Sequence, residues 1–304
     1  MTPRDRFDAT TAASRSIGSA IGRAMRRPRT YAGFARELVV AGVNLALYPA
    51  GLLSEALKIE ERVRFDDRFS RHEVLHYLDP EAATTPILLL HGAFHNRSAF
   101  LYMKSALHRH GFRHVETMNY NVIGHDIPEL AQRLHDRLFE IMFLTGATKV
   151  HLVAHSLGGL VARYYIQELG GDEKVHTCVT LGTPHQGTYA AVVGRGRAAR
   201  QVRPNSPLIK QLHEGTRASD VRYIAYYSNI DSVVIPASNA KIAEPLLRAR
   251  NVLVKDVGHL GLLTSRVLIR SVAESLATLD VNPAEASDVP AAGSSGIART
   301  ASGE

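Results

Sequence analysis

The chain has 304 residues, 45% of them apolar, which is enough to bury the core of one α/β domain with appendages. Its single cysteine, Cys178, excludes an intramolecular disulfide and a zinc site built on several cysteines. Of the net charge of +7, residues 1–36 carry +6, and no nucleic-acid-binding motif follows this basic stretch. The composition therefore argues against nucleic acid as a partner.

Residues 1–57 predict a basic arm outside the main domain. Residues 1–30 are rich in Ala, Ser, Arg and Gly, which is typical of a flexible stretch or a frayed helix. Residues 38–53 carry no charge, but they are too short and too interrupted, at Tyr48-Pro49-Ala50-Gly51, for a spanning helix. Two interpretations remain open: an apolar helix that packs on the domain, or an interfacial anchor in which residues 20–57 contact a membrane surface.

This apolar stretch also lies too far along the chain for a typical cleavable signal peptide. We therefore expect a cytoplasmic location or a peripheral one at the inner membrane surface. The sequence makes no prediction about the oligomeric state.

Residues 58–280 predict one domain in which strands and helices alternate, which favours a mostly parallel, doubly wound sheet flanked by helices. Residues 186–218 show no strand pattern and predict a helical, lid-like insertion with a rim of arginines at positions 195, 197, 200 and 203. Residues 281–304 are rich in Ala, Ser, Gly and Pro and predict a disordered tail. The predicted strands are Glu61–Phe65 and Glu73–Tyr77, both as antiparallel edge strands, then Pro86–Leu90, Val115–Tyr120, Val150–His155, Val175–Leu181, Val221–Ser228 and Asn251–Val254. The predicted helices are Phe100–His110, Ile127–Leu144, Leu157–Leu169 and Gly261–Leu279.

A serine lies between a predicted strand and a predicted helix, in Ala154-His155-Ser156-Leu157-Gly158. A turn this abrupt leaves the serine strained and exposed, with helix N–H groups directed at whatever it attacks. The turn requires very small residues two positions before and after the serine. Here these are Ala154 and Gly158, where the usual G-x-S-x-G pattern has two glycines. Ser156 is therefore the candidate nucleophile.

A serine hydroxyl becomes a good nucleophile only when a base takes its proton and a carboxylate orients that base. Asp231 and His259 follow two later strands in the chain order serine, acid, histidine, and both lie just beyond the carboxyl ends of these strands. They are the candidate acid and base, although Asp231 could instead serve only to close a turn. Asp220, which precedes its strand, and Asp256, which is too close to the histidine along the chain, are weaker candidates for the acid.

Acyl transfer also needs two N–H donors for the oxyanion. Leu157 follows the nucleophile and supplies one of them. The other is expected from the loop after Pro86–Leu90, where Gly92 allows a close approach, and we expect Ala93 to donate it, with Phe94 as the alternative. Phe94 and Tyr120 would line an apolar acyl pocket, although core packing explains them equally well.

Other chemistries lack support in the sequence. It contains no H-E-x-x-H motif, no P-loop and no dinucleotide-binding fingerprint. His91 and His95 are four residues apart, and histidines 108, 110 and 114 cluster, but no carboxylates accompany either group at a ligand spacing. We expect neither a metal site nor a cofactor.

Taken together, the motifs resemble those of the α/β-hydrolase superfamily, in particular its bacterial triacylglycerol lipase and esterase group, over about residues 86–279. The motifs are His91-Gly92-Ala93, Ala154-His155-Ser156-Leu157-Gly158-Gly159, Gly182-Thr183-Pro184-His185-Gln186-Gly187 and Gly258-His259. The resemblance implies an α/β-hydrolase fold and a cofactor-free serine hydrolase that cleaves acyl esters, often of lipids, with Ser156, Asp231 and His259 as its triad. A thioesterase, phospholipase or acyltransferase with the same triad remains open, as does, more distantly, a membrane-tethered binding protein without turnover.

Overall fold

The computed structural model describes residues 75, 77–93, 95–122, 124–192 and 196–279. The predicted arm, the predicted tail and the predicted strand Glu61–Phe65 lie outside these residues, as do Phe94 and Arg195. Among the described residues, no helix combines the length and the apolar content needed to cross a membrane.

One sheet of six parallel strands forms the centre of the described structure, in the order β2-β1-β3-β4-β5-β6. The chain passes from β1 to β2 on one side and then crosses back to β3 on the other. The order therefore reverses between β1 and β3, and open parallel sheets bind their ligands at the carboxyl ends of the strands where the order reverses in this way. The strands are β1 (Ile87–Leu90), β2 (Val115–Met118), β3 (Val150–His155), β4 (Val175–Leu181), β5 (Arg222–Ser228) and β6 (Arg250–Val254). This arrangement confirms the predicted parallel, doubly wound α/β fold.

Helices cover both faces of the sheet. They are α1 (Pro80–Thr84), α2 (Leu101–Arg109), α3 (Ile127–Thr145), α4 (Leu157–Glu168), α5 (Arg197–Gln201), α6 (Pro207–Glu214) and α7 (Arg266–Leu276). Leu88 and Leu90 of β1 belong to one buried core with residues of α3, α4 and α6, whereas Ile87 and Leu89 belong to a second core with α2 and α7. The strand alternation therefore divides the apolar residues between two cores, one on each face.

Two predicted elements are wrong in part. In the predicted strand Glu73–Tyr77, the described residues Leu75 and Tyr77 belong to no strand, and α1 follows at Pro80 with Asp79 as its N-cap. The predicted last helix, Gly261–Leu279, is a short 3-10 turn over Leu260–Leu263 followed by α7. Ser265 interrupts it because its side chain accepts the N–H of Leu268 and so starts a new helix.

The segment 186–218 contains α5, α6 and a 3-10 turn over Tyr189–Val192, with no strand in its described part, as predicted. Helix α6 packs against α4 and contributes residues 208, 209 and 212 to the core on that face of the sheet. Helix α5 lies at the start of α3, where Arg197 forms ion pairs with Asp126 (3.2 Å) and Glu129 (3.1 Å). Because α3 begins beyond the carboxyl end of β2, this contact places α5 at the edge of the sheet formed by the carboxyl ends of the strands, where Ser156 also lies.

Two of the arginines in the predicted rim form contacts within the protein. Arg203 donates to the carbonyl oxygens of Ala191 and Val192, each at 3.1 Å. Arg197 therefore holds the segment to α3, and Arg203 holds the segment to itself. Arg200 is exposed and makes no ion pair among the residues that the structure describes.

Candidate active site

Ser156 lies at the junction of β3 and α4, where the predicted sharp turn is present. Its backbone has φ 54° and ψ −125°, a conformation that residues with a Cβ rarely adopt. The turn is held on both sides: Ser156 N–H donates to Leu181 O at 2.9 Å, and Ser156 O accepts from Gly159 N–H at 3.1 Å. A strained residue fixed in this way is typical of a functional position.

The loop after β1 packs directly against this turn. A Cβ atom placed on Gly92 would lie only 2.7 Å from the Cβ of Ser156. A Cβ on Gly158 would lie 2.6 Å from the carbonyl oxygen of His91. These contacts explain why the sequence has glycine at both positions, and they bring the expected oxyanion loop beside Ser156.

Asp231 and His259 lie in contact at the same edge of the sheet. Asp231 Oδ2 is 2.8 Å from His259 Nδ1, and both side chains are almost completely buried. Asp231 Oδ1 accepts the N–H groups of Val233 and Val234, each at 2.8 Å. The aspartate therefore closes its own turn with one oxygen and contacts the histidine with the other.

Gly182, at the end of β4, makes room for this pair. Its φ of 58° is readily adopted by glycine, and a Cβ there would lie 3.0 Å from His259 Nδ1 and 3.1 Å from Asp231 Oδ2. The Gly182-Thr183 motif thus borders the acid and the base.

Two further side chains tie the loop of Asp231 to the loop of His259. Ser228 Oγ donates to Val257 O and accepts the N–H of Ile230 at 3.1 Å. Asn229 Oδ1 accepts the N–H of Asp256 at 2.8 Å. Sequence reasoning missed these residues, because nothing in their local pattern indicates a partner nearly thirty positions away.

The loop after β1 is held by His91 and Tyr120. His91 Nδ1 donates to Gly92 O at 2.8 Å, its Nε2 accepts Tyr120 N–H at 3.2 Å, and the two rings stack with centroids 4.1 Å apart. Burial lowers the pKa of His91 to about 4, so the ring is neutral at pH 7, in agreement with this pairing. Tyr120 is buried and its hydroxyl donates to His91 O, so it supports the loop; its place in an acyl pocket stays a prediction.

Ala93 is partly buried against the core of α3 and α4. In a trans peptide the C=O and N–H groups point in opposite directions. Because Gly92 O is directed at His91, the N–H of Ala93 is directed away from that ring.

No metal-ligand cluster is present in the described part of the chain. Both ring nitrogens of His91 form hydrogen bonds, and among the described residues no group of three or more histidine, cysteine and carboxylate side chains is arranged to hold a metal ion.

The model of the palmitoyl protein thioesterase family matches residues 86–240, about half of the chain. The chain belongs to this family. The match covers β1 to β5 and includes Ser156 and Asp231, whereas His259 lies beyond it.

The curated relatives include triacylglycerol lipases from Pseudarthrobacter phenanthrenivorans and Burkholderia plantarii. Both are 33% identical over 121 residues, which is 37% of this chain and 37% and 33% of theirs. The chain thus matches about a third of the length of these relatives.

Solved structures of similar fold include the mature lipase BlEst2 of Bacillus licheniformis, with a TM-score of 0.56 and 18% identity over 67% of this chain and 95% of that one. Aspergillus fumigatus lipase B has a TM-score of 0.57 and 16% identity over 68% of this chain and 55% of that one. These similarities confirm the α/β-hydrolase fold that the motifs predicted.

Proposed function

We propose that this member of the family is a serine hydrolase that cleaves carboxylic esters, with Ser156, Asp231 and His259 as its triad. The observation that carries the proposal is the 2.8 Å contact between Asp231 and His259 at the sheet edge that also holds the strained Ser156. This pairing of a buried carboxylate with an imidazole is the arrangement that a general base requires.

In the proposed reaction, His259 donates its Nδ1–H to Asp231, which leaves Nε2 as the unprotonated nitrogen that takes the proton of Ser156. The Ser156 oxygen then attacks the ester carbonyl carbon, and a tetrahedral oxyanion forms. His259 passes the proton to the leaving alcohol as the C–O bond breaks. Water, activated by the same histidine, then hydrolyses the acyl-enzyme and regenerates the serine.

The oxyanion is assigned to the N–H groups of Leu157 and Ala93. Leu157 opens α4, so its N–H is at the positive end of the helix dipole. The hydrogen bond from His91 Nδ1 to Gly92 O supports Ala93 as the second donor, because it fixes the orientation of the peptide group between Gly92 and Ala93. A single donor of this type contributes about 3–4 kcal/mol of transition-state stabilisation.

The triacylglycerol lipase relatives favour a lipid ester as the substrate. In this proposal residues 186–218 form a lid over the cleft, supported by the contact of α5 with the start of α3. Membrane contact through residues 20–57 and a cytoplasmic or inner-membrane location remain predictions.

A thioesterase is the second candidate, because the family model that matches is that of palmitoyl protein thioesterase. The same triad and oxyanion donors would serve, since only the leaving group changes from an alcohol to a thiol. Paired substrates with the same acyl chain, p-nitrophenyl palmitate and palmitoyl-coenzyme A, distinguish the two.

We expect the oxygen ester to give the higher kcat/KM and a fluorophosphonate to label the wild-type chain at Ser156. A preference for the thioester by a factor of ten or more would favour the second candidate. A folded protein that is not labelled and cleaves neither substrate would contradict both.

A further inference from the structure

The side chain of His155 connects the strand that carries Ser156 to the loop that carries His259. Its Nε2 lies 3.1 Å from the backbone oxygen of His259. A carbonyl oxygen only accepts hydrogen bonds, so Nε2 must carry the hydrogen. The two imidazole rings are also in contact, with centroids 4.6 Å apart and planes inclined by 49°.

The other side of the His155 ring is enclosed by the loop after β1. His155 is 1% exposed, its Nδ1 has no hydrogen-bond partner among the residues described, and a Cβ on Gly92 would lie 3.2 Å from that nitrogen. The ring of His95 stacks at a centroid distance of 6.0 Å. Burial lowers the pKa of His155 well below its usual range and that of His95 to about 4, so neither ring adds a positive charge beside His259 at neutral pH.

His151 shows that burial on β3 does not by itself create such a contact. It lies four residues earlier on the same strand and is also fully buried, but neither of its ring nitrogens has a hydrogen-bond partner in the described structure. Its ring meets that of His176 edge-on at 5.3 Å, away from Ser156. His151 therefore offers a matched control for the loss of a buried histidine from this strand.

We propose that His155 is a positioning residue that sets the distance between nucleophile and base by holding the backbone of His259 through its Nε2–H group. The inference rests on the proposed function, because it assigns His259 the role of base. The inference explains why a histidine precedes the serine. The turn itself requires only a side chain that fits the buried site at this position.

The test compares His155→Leu, His155→Gln and His151→Leu with the wild type. Glutamine can still direct an amide N–H towards the oxygen of His259, whereas leucine cannot. Since a displacement of about 1 Å can cost up to 100-fold in rate, we expect kcat for a p-nitrophenyl ester to fall about 10- to 100-fold in His155→Leu, with KM nearly unchanged. The rate of inactivation by a fluorophosphonate should fall in parallel.

We expect His155→Gln to recover most of kcat and His151→Leu to keep wild-type kcat, whatever the change in melting temperature. If His155→Leu does not fold, His155→Met makes the same test with a more adaptable apolar side chain. Equal kcat in the folded His155 and His151 variants, or a glutamine variant as slow as the leucine variant, would overturn the inference. A wild-type chain that is inactive and unlabelled would instead overturn the proposed function on which it rests.

Discussion

Asp231 uses its two carboxylate oxygens for two different purposes. Oδ1 accepts two backbone N–H groups and shapes the loop, while Oδ2 contacts His259 Nδ1. The two roles can be separated, because an asparagine keeps an acceptor for the loop but loses the second oxygen. In the variant the amide NH2 group would face the histidine and favour the wrong imidazole tautomer.

For Asp231→Asn we therefore expect kcat to fall about 10⁴-fold while the fold is retained. Ester hydrolysis and a thermal melt on the same preparation make the measurement. Asp256→Asn is the matched control, because Asp256 is near His259 along the chain and its φ of 57° is one that asparagine tolerates. Equal activities of the two variants would contradict the role assigned to Asp231.

Single residues were predictable where a local pattern marks them. Ser156, Asp231 and His259 each follow a strand, so chain order and turn composition identified them as candidates. The long-range hydrogen-bond partners of His155, His91 and Ser228 carry no such mark, because they lie in distant parts of the chain. The hydrogen bond from His155 to His259, for example, joins positions 104 residues apart and exists only in the folded chain.

Elements were predictable where periodicity and end signals agree. Helix α3 matches its prediction within one residue, because Asp126 and Glu129 form a capping box at its start and Gly146 ends it at φ 70°. The prediction of the last helix was wrong at Ser265. The apolar spacing continues through this residue, although its side chain caps the start of α7. The short alternation Glu73–Tyr77 had no such end signals and is a weak pattern for that reason.

The segment 186–218 is the element whose role most needs a test. Arg197 joins α5 to the start of α3 through two carboxylates, and Arg197→Glu would replace this attraction by repulsion. Exposed pairs of this kind are worth about 0.2–1 kcal/mol, so the change loosens the contact without unfolding the domain. If the segment caps the cleft, we expect the ratio of kcat/KM for palmitate to that for acetate esters to shift by about 2- to 5-fold.

Arg200→Glu makes the same charge change on the same helix. Arg200 is exposed, and no ion pair of it is present in the described structure. Its chain-length profile should therefore match that of the wild type. Chain-length profiles that are unchanged in both variants would contradict the proposal that residues 186–218 form a lid.

At the scale of the whole molecule, burial of neutral histidines makes the stability depend on pH. Burial lowers the pKa of six histidines: to about 4 for His91 and His95, well below the usual range for His151, His155 and His185, and below its ordinary value for His108. In the unfolded chain these groups bind protons near pH 6.5. Between pH 6.5 and 4 these histidines thus bind more protons in the unfolded chain than in the folded one, and their contribution to the free energy of unfolding falls as the pH falls.

Urea unfolding at pH 7, 6 and 5 measures this effect. Each such histidine adds up to about 1.4 kcal/mol per pH unit to the slope. We expect His151→Leu to lower the slope by about one such contribution, because it removes one buried imidazole without breaking a hydrogen bond. A slope identical to that of the wild type would show that His151 does not titrate in this way.

The most direct test of the whole account is hydrolysis of a p-nitrophenyl ester series, from acetate to palmitate, by the wild type and by Ser156→Ala. Loss of a catalytic serine costs up to about 10⁶-fold in kcat in a serine hydrolase, so we expect the wild type to turn over, best with long acyl chains, and the variant to show no enzymatic turnover. Turnover that survives in a folded Ser156→Ala variant, or a wild type inactive on every ester, would contradict the assignment of Ser156 as the nucleophile of an ester hydrolase.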